Sequence, residues 1–167
     1  MIQRLNKKYL YSVLAFVNEC EDKWEDCYVT INKERKFLKN NIPLIKKILS
    51  RQEVYALIEK DIEGILIILH EKNFRPYVKC LAKDYKTTWS LVKFLNWNFS
   101  EELYAKLKTD NVFYAKLKTD NVLVKCLYRI GFQNRGFRGK ELLLQRPKQE
   151  KRIFKSKDLE KGEKYVA

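Results

Sequence analysis

Asp120-Asn121-Val122-Leu123-Val124-Lys125-Cys126-Leu127-Tyr128-Arg129-Ile130-Gly131-Phe132 is the stretch on which the rest of the chain turns. Asn121 can cap a helix whose apolar face is Leu123, Val124, Leu127 and Ile130, because an Asn oxygen accepts from amides that lack an intrahelical partner. Gly131 stands where a left-handed stop is wanted. Tyr128 follows Asn121 by two helical turns. That spacing returns a side chain to within about 20° of the same bearing, so both residues can address one cleft.

Outward from this segment, 167 residues make one domain with a substantial core. The formal net charge is +14, from 35 Lys+Arg against 21 Asp+Glu. Such an excess attracts polyanions such as nucleic acid, phosphorylated cofactors or acidic surfaces. Most of the cations are Lys interleaved with Glu and Asp, which reads first as a solvated surface. Cys20, Cys27, Cys80 and Cys126 show no metal-ligand spacing and have one His, His70, to help them, so no metal is expected. Reduced, buried thiols in a cytoplasmic protein are the expectation. The longest apolar run, Ile65 to Leu69, is too short to span a bilayer, so no membrane association is expected. Arg4, Lys7 and Lys8 precede an apolar patch, Tyr9 to Val17, as in a secretory signal; no small-residue cleavage site follows, and the patch is amphipathic, so it reads as a helix.

Leu10, Val13, Leu14 and Val17 fall at helical spacing with Asn6 as a cap, which predicts a first helix to about Glu19. Glu21 to Asp26 reads as a connection. A second helical region is expected after Thr30, broken near Pro43, where Asn41 caps a turn carrying Leu44, Ile45, Ile48 and Leu49. Val54 to Ile58 and Ile62 to His70 read as a hairpin turning at Glu59 to Asp61, and Tyr77 to Ala82 as a third strand. A helix carrying Trp89, Val92 and Leu95 follows, with Thr87 or Thr88 as its cap. Gln133 to Lys140 reads as a Gly- and Arg-rich loop, and Glu141 to Gln145 as a closing strand. The charged segment 147–167 reads as a mobile or loosely docked tail behind a single domain, 1–146.

Between these elements lies an exact tandem repeat, Tyr-Ala-Lys-Leu-Lys-Thr-Asp-Asn-Val at 104–112 and again at 114–122. Only the second copy leads to a Tyr and a Gly-Phe at helical spacing. The second is therefore expected to be the strand before the last helix, and the first to be an insertion near 104–113, helical after Ser100-Glu101-Glu102-Leu103.

The predicted elements describe an α/β fold of the α+β kind. In this order the chain resembles the GNAT superfamily of N-acetyltransferases over roughly Met1 to Arg146. The resemblance is carried by Asp61-Ile62-Glu63-Gly64-Ile65 at the hairpin, Tyr85-Lys86 before the central helix, and above all the Asn121, Tyr128, Gly131-Phe132 pattern. It implies a mixed central sheet with two N-terminal helices and a splayed pair of strands flanked by helices. It also implies acetyl-CoA as cofactor and a small-molecule or protein amine as acceptor. The family's Gly-rich cofactor loop has no counterpart, since no glycine occurs from Arg75 to Ile130. Lys86, Thr87 and Thr88 would take its place, with a cation, two hydroxyls and the first helical amides.

By the same resemblance, Val78 to Ala82 is the strand that holds the pantetheine arm, with Lys79, Cys80 and Leu81 facing it. Ala115 to Thr119 is the splayed partner. Asn121 contacts the cofactor, and Tyr128 donates a proton to the departing sulfur. A phenol, with an unperturbed pKa of about 10, is protonated at neutral pH as a general acid must be. From the residues alone, Tyr128 also reads as an ordinary core aromatic and Asn121 as a plain cap. Cys80 and Cys126 read as core thiols. Glu63, His70, Asp84 or a water chain are the candidates for a base. The competing function is a GNAT-like binding or structural protein, which if it binds nucleic acid would do so through Lys125, Arg129, Arg135, Arg138 and Lys140. An acetyltransferase acting on a polyanion such as charged tRNA combines the two.

Overall fold

The computed structural model describes residues 1–20, 27–70, 76–108, 119–138 and 141–150. A short strand, β1 (Ile2–Arg4), precedes a 3-10 turn at Lys7–Tyr9 that runs into α1 (Leu10–Glu19). The Asn6 side chain accepts from the Lys8 amide and starts the turn. Val13, Phe16 and Val17, at helical spacing, are the buried face of α1. The connection expected at 21–26 lies outside the described residues.

The helix expected after Thr30 is instead a two-stranded hairpin, β2 (Tyr28–Ile31) and β3 (Glu34–Phe37). Asn32 and Lys33 sit at φ 51° and 66°, and this pair of left-handed residues matches the right-handed twist of the strands it joins, Ile31 opposite Glu34. Behind it, α2 (Ile42–Arg51) starts where the sequence places it, with the Asn41 side chain accepting from the Leu44 amide and Pro43 in the first turn. Leu44, Ile45, Ile48 and Leu49 are buried.

The hairpin and third strand form as predicted: β4 (Glu53–Ile58), β5 (Ile62–Leu69) and β6 (Tyr77–Ala82). They are followed by α3 (Tyr85–Asn98), β7 (Leu103–Lys108), α4 (Thr119–Arg129), β8 (Gln133–Arg138) and β9 (Glu141–Arg146). The seven-stranded sheet has the order β1-β4-β5-β6-β7-β9-β8. Among the described residues only β6 and β7 pair in parallel; their connection carries α3 across one face. On that face α3 and α4 pack over Leu66, Ile68, Val78, Cys80, Leu103 and Leu144. On the other, α1 and α2 cover Val54, Ala56, Ile65, Ile67 and Leu81.

Several expectations are corrected here. The first repeat copy is the strand, not an insertion: Leu103, Ala105 and Leu107 alternate into the core as part of β7. The second copy runs through 114–118, outside the described residues, and then into α4, whose first residue is Thr119. The strand beside β6 is β7; of the expected splayed partner Ala115–Thr119, residues 115–118 lie outside the described residues and Thr119 opens α4, and Asn121 is the third residue of α4 rather than its cap. Asp84, not Thr87 or Thr88, caps α3. Gln133–Arg138, expected as a loop, is the edge strand β8, whose ladder to β9 is interrupted between Asn134 and Phe137 around Gly136 at φ 87°. Gly131, at φ 99°, is the left-handed stop after α4.

After β9, residues 147–150 form no regular element, although the Gln149 amide donates to the Ser100 carbonyl at 2.7 Å. Arg146 is fully buried, and its Nη2 donates to the carbonyls of Phe99 and Glu101, tying the end of β9 to the segment after α3. The rest of the expected tail, 151–167, lies outside the described residues.

Candidate functional site

β6 is laddered to β5 along its whole length, from Tyr77–Leu69 to Ala82–Gly64, and β7 to β9 from Leu103–Arg146 to Lys108–Glu141. Between β6 and β7 the register holds one pair, Tyr77 with Tyr104, where the Tyr104 amide donates to the Pro76 carbonyl at 2.9 Å. Among the described residues the two strands run on beyond this foot without a ladder pair, which is the opening in the described sheet.

α3 begins where β6 ends. The Asp84 carboxylate accepts from the Thr87 amide at 2.8 Å, and Thr88 Oγ1 donates to the Asp84 carbonyl at 3.0 Å. Thr87 and Thr88 are buried, and a Cβ on Gly64 of β5 would come within 2.7 Å of Thr87 Cγ2. That glycine lets the first turn of α3 lie directly on the sheet. Lys86 is exposed. The amides of Tyr85 and Lys86 open the helix and have no carbonyl four residues back within it, so the helix directs positive potential here.

A second cation arrives from α4. Arg129 Nη1 donates to Tyr85 Oη at 2.7 Å, and its guanidinium carbon lies 5.4 Å from the centroid of the Trp89 ring. Cys126, one turn earlier, is buried; burial pushes its thiol up, against the opposing pull of Arg129 and of a hydrogen bond with Tyr85. Cys126 and Cys80 are both buried thiols on the face of α3 and α4. Tyr128 is on the outer side of α4, 43% exposed, and no described residue bonds its hydroxyl. The Asn121 side chain lies outside the described residues.

The side chains of β6 divide between the faces of the sheet. Cys80 packs toward α3 and α4, whereas Lys79 and Leu81 point to the other face. Lys79 is only 4% exposed; its ammonium lies 4.3 Å from the centroid of the Tyr28 ring on β2. The guanidinium of Arg35 on β3 lies 4.5 Å from the same centroid. Tyr28 Oη donates to Glu141 at 3.3 Å, and Arg35 stands 4.0 Å from that carboxylate. Across the foot of the opening, the Lys106 ammonium is 4.6 Å from the Tyr77 ring centroid. The Thr30 hydroxyl is buried beside them with no hydrogen-bond partner among the described residues. Sequence reasoning missed this cluster, because reading the chain after Thr30 as helical takes Arg35 off its strand and leaves Tyr28 without a hairpin partner. The available signal was Ile31-Asn32-Lys33-Glu34, a turn with an Asn suited to positive φ.

The candidate bases each hold a structural contact: Glu63 is 3.8 Å from Lys83, His70 is 3.4 Å from Glu53, and Asp84 caps α3. Of the basic residues suggested for nucleic acid, three have described side chains. Lys125 and Arg129 stand on α4, whereas Arg135 donates to Gln145, which shares the opposite face with Tyr104. Arg138's side chain and Lys140 lie outside the described residues. Among the described residues, no three His, Cys, Asp or Glu come close enough to hold a metal, and no helix is long and apolar enough to cross a membrane.

No protein-family model matches the chain, and no curated protein sequence does. Solved structures do. A GNAT-family acetyltransferase from Bacillus cereus is similar at TM-score 0.61 and 13% identity, covering 90% of this chain and 98% of that one. A spermidine N-acetyltransferase variant from Vibrio cholerae is similar at TM-score 0.56 and 12% identity, covering 87% and 91%. The PaiA N-acetyltransferase of Thermoplasma acidophilum, solved with coenzyme A, is similar at TM-score 0.53 and 12% identity, covering 88% and 98%. The fold is therefore that of the GNAT N-acetyltransferases, and the mixed sheet and flanking helices match the architecture expected from the sequence.

Proposed function

We propose that this chain is an acetyl-CoA-dependent N-acetyltransferase acting on an amine. The observation that carries the proposal is the opening between β6 and β7 above Tyr77–Tyr104, with the start of α3 at the end of β6 and Tyr128 on α4. The residues fit the cofactor: the amides of Tyr85 and Lys86 and the cations of Lys86 and Arg129 suit its phosphates. The extended β6 backbone around Lys79, Cys80 and Leu81 suits its extended arm. Thr87 and Thr88 serve the cradle by setting the helix start, since both are buried.

Bound there, acetyl-CoA would supply the acyl carbon to which the amine nitrogen bonds as the carbon–sulfur bond breaks; the proton the nitrogen sheds, passed through water, would balance the one given to the sulfur. Tyr128 Oη, exposed on α4, would give the proton that the departing sulfur takes up. Asn121, in the first turn of α4, contacts the cofactor. The hairpin β2–β3 and Lys106 border the same opening on the opposite face, where the amine enters.

One observation favours a second reading, a GNAT-fold binding protein without the cofactor: the Asp84 carboxylate already occupies the Thr87 amide at the start of α3. Calorimetry separates the two. Micromolar binding of acetyl-CoA, with thiol release in the presence of an amine panel, is the expected result; well-folded protein that shows no binding establishes the second reading.

A further inference from the structure

We infer that the outer face of α3 and α4 binds single-stranded nucleic acid, its phosphates on cations gathered around Trp89 and its bases on the exposed rings of Tyr85 and Tyr128. The inference goes beyond the acetyltransferase reading and does not depend on it. No Asp or Glu occurs from Tyr85 to Ser100, so α3 meets solvent through Lys86 and Lys93 with no carboxylate of its own to answer them. Tyr85, Trp89 and Lys93 follow one another at a spacing of four, which sets them along one strip of the helix. Trp89 is half-buried against the core and gathers two cations: the Lys93 ammonium lies 5.9 Å from its ring centroid, and the Arg129 guanidinium arrives from α4. Because Arg129 also donates to Tyr85 Oη, the strip closes across the seam between the helices.

On α4 the same surface continues. Lys125 lies one turn before Arg129 and is exposed, as is the Tyr128 ring. Among the described residues no carboxylate pairs with Lys86, Lys93, Lys125 or Arg129, and the Asp84 carboxylate at the start of α3 accepts from the Thr87 amide. A cation already resting on an indole loses less side-chain freedom when it takes a phosphate than one free in solvent. Exposed phenol rings add stacking that any base satisfies. A duplex keeps its base faces covered and an acidic polypeptide has none, so the rings favour an unpaired strand over both. Lysines alone do not make such a face: α2 exposes Lys46 and Lys47 with no aromatic residue in the helix. Lys86 and Arg129, assigned above to cofactor phosphates, border the face, and the variants below leave both in place.

Fluorescence anisotropy of the full chain with labelled oligo(U) and oligo(dT) of about twelve nucleotides tests this, with a duplex of the same length and poly-glutamate as unlabelled competitors. Both strands are expected to bind, more tightly than the duplex or poly-glutamate by about tenfold, and their ranking distinguishes RNA from DNA. Lys93→Gln with Lys125→Gln should weaken strand binding about tenfold and flatten its log–log salt dependence by about 1.4, at about 0.7 per phosphate contact. Lys46→Gln with Lys47→Gln removes the same charge from α2 and should leave affinity within about twofold and the slope unchanged. Tyr128→Leu removes a ring and no charge; it should weaken the strands about tenfold and leave poly-glutamate unaffected. Circular dichroism checks that each variant is folded. Absence of strand binding at about 50 mM salt overturns the inference. So does equal loss from the two lysine pairs, a folded Tyr128→Leu chain that binds the strands like the wild type, or a duplex or poly-glutamate that competes as well as the strands do.

Discussion

The rings of Tyr77 and Tyr104 lie 5.7 Å apart, directly at the register pair where β6 and β7 last touch as a ladder. The contact sits at the foot of the opening and also supports the Lys106 ammonium. Tyr77→Ala removes a half-buried ring and its neighbours' support, so stability should fall by about 2 kcal/mol, somewhat less than a fully buried aromatic costs. Denaturant unfolding measures this. In turnover assays KM for the acceptor should rise, with acetyl-CoA affinity nearly unchanged.

Tyr128→Phe keeps the ring and removes the proton. If Tyr128 serves the departing sulfur, kcat should drop by about 100-fold or more, within the range of general acid catalysis, while calorimetric affinity for acetyl-CoA stays at the wild-type value. An unchanged kcat would show that another donor acts.

Asp84 both caps α3 and sets a negative charge at its positive end. Asn is an equally good cap without the charge. Asp84→Asn should therefore tighten acetyl-CoA binding several-fold. Its thermal unfolding should change little, since a carboxylate near a helix start contributes about 0.3–1 kcal/mol.

Gly64→Ala should lower stability by about 1–3 kcal/mol, the usual range for overpacking. The added methyl would meet Thr87 Cγ2 at 2.7 Å, Leu91 Cδ1 at 3.0 Å and Ala82 Cβ at 3.1 Å. Because the clash falls on the first turn of α3, acetyl-CoA affinity should fall with it, which Gly→Ala changes elsewhere in the sheet would not produce.

Tyr55 titrates late. Burial, then the charge of Glu53 and the hydrogen bond to it, push its phenol from 10.0 up to about 12. The folded state therefore keeps a proton that the unfolded state loses. The stability linked to Tyr55 is fully present below pH 10 and is lost as pH rises toward 12. Unfolding curves across that window should show the loss, and Tyr55→Phe should flatten that part of the profile.

Much of the architecture was legible where one local rule decided the outcome. Asn41 and Pro43 mark the start of α2, the run from Ile62 to Leu69 could be little other than a buried strand, and Gly131 stops α4. The misreadings fall where local rules compete. The word Tyr-Ala-Lys-Leu is strand in β7 because Leu103, Ala105 and Leu107 meet the core there, and no propensity distinguishes it from its twin. β8 was hidden because it is an exposed edge strand, for which Arg and Gly are suitable residues. In the candidate site, the tie between Arg129 and Tyr85 and the cluster around Tyr28 join residues far apart in sequence, and neither has a motif.

The repeat has a consequence for the history of this fold. Removing residues 104–113 would leave Leu103 followed by Tyr114, and the chain would still read Leu-Tyr-Ala-Lys-Leu-Lys through β7 and Thr-Asp-Asn-Val into α4. Both elements would keep every residue type, and only the length of chain between them would change. Lengthening a connector costs little in closure entropy. A duplication at this point therefore leaves the residues of strand and helix unchanged while supplying the ten residues, 109–118, that join them.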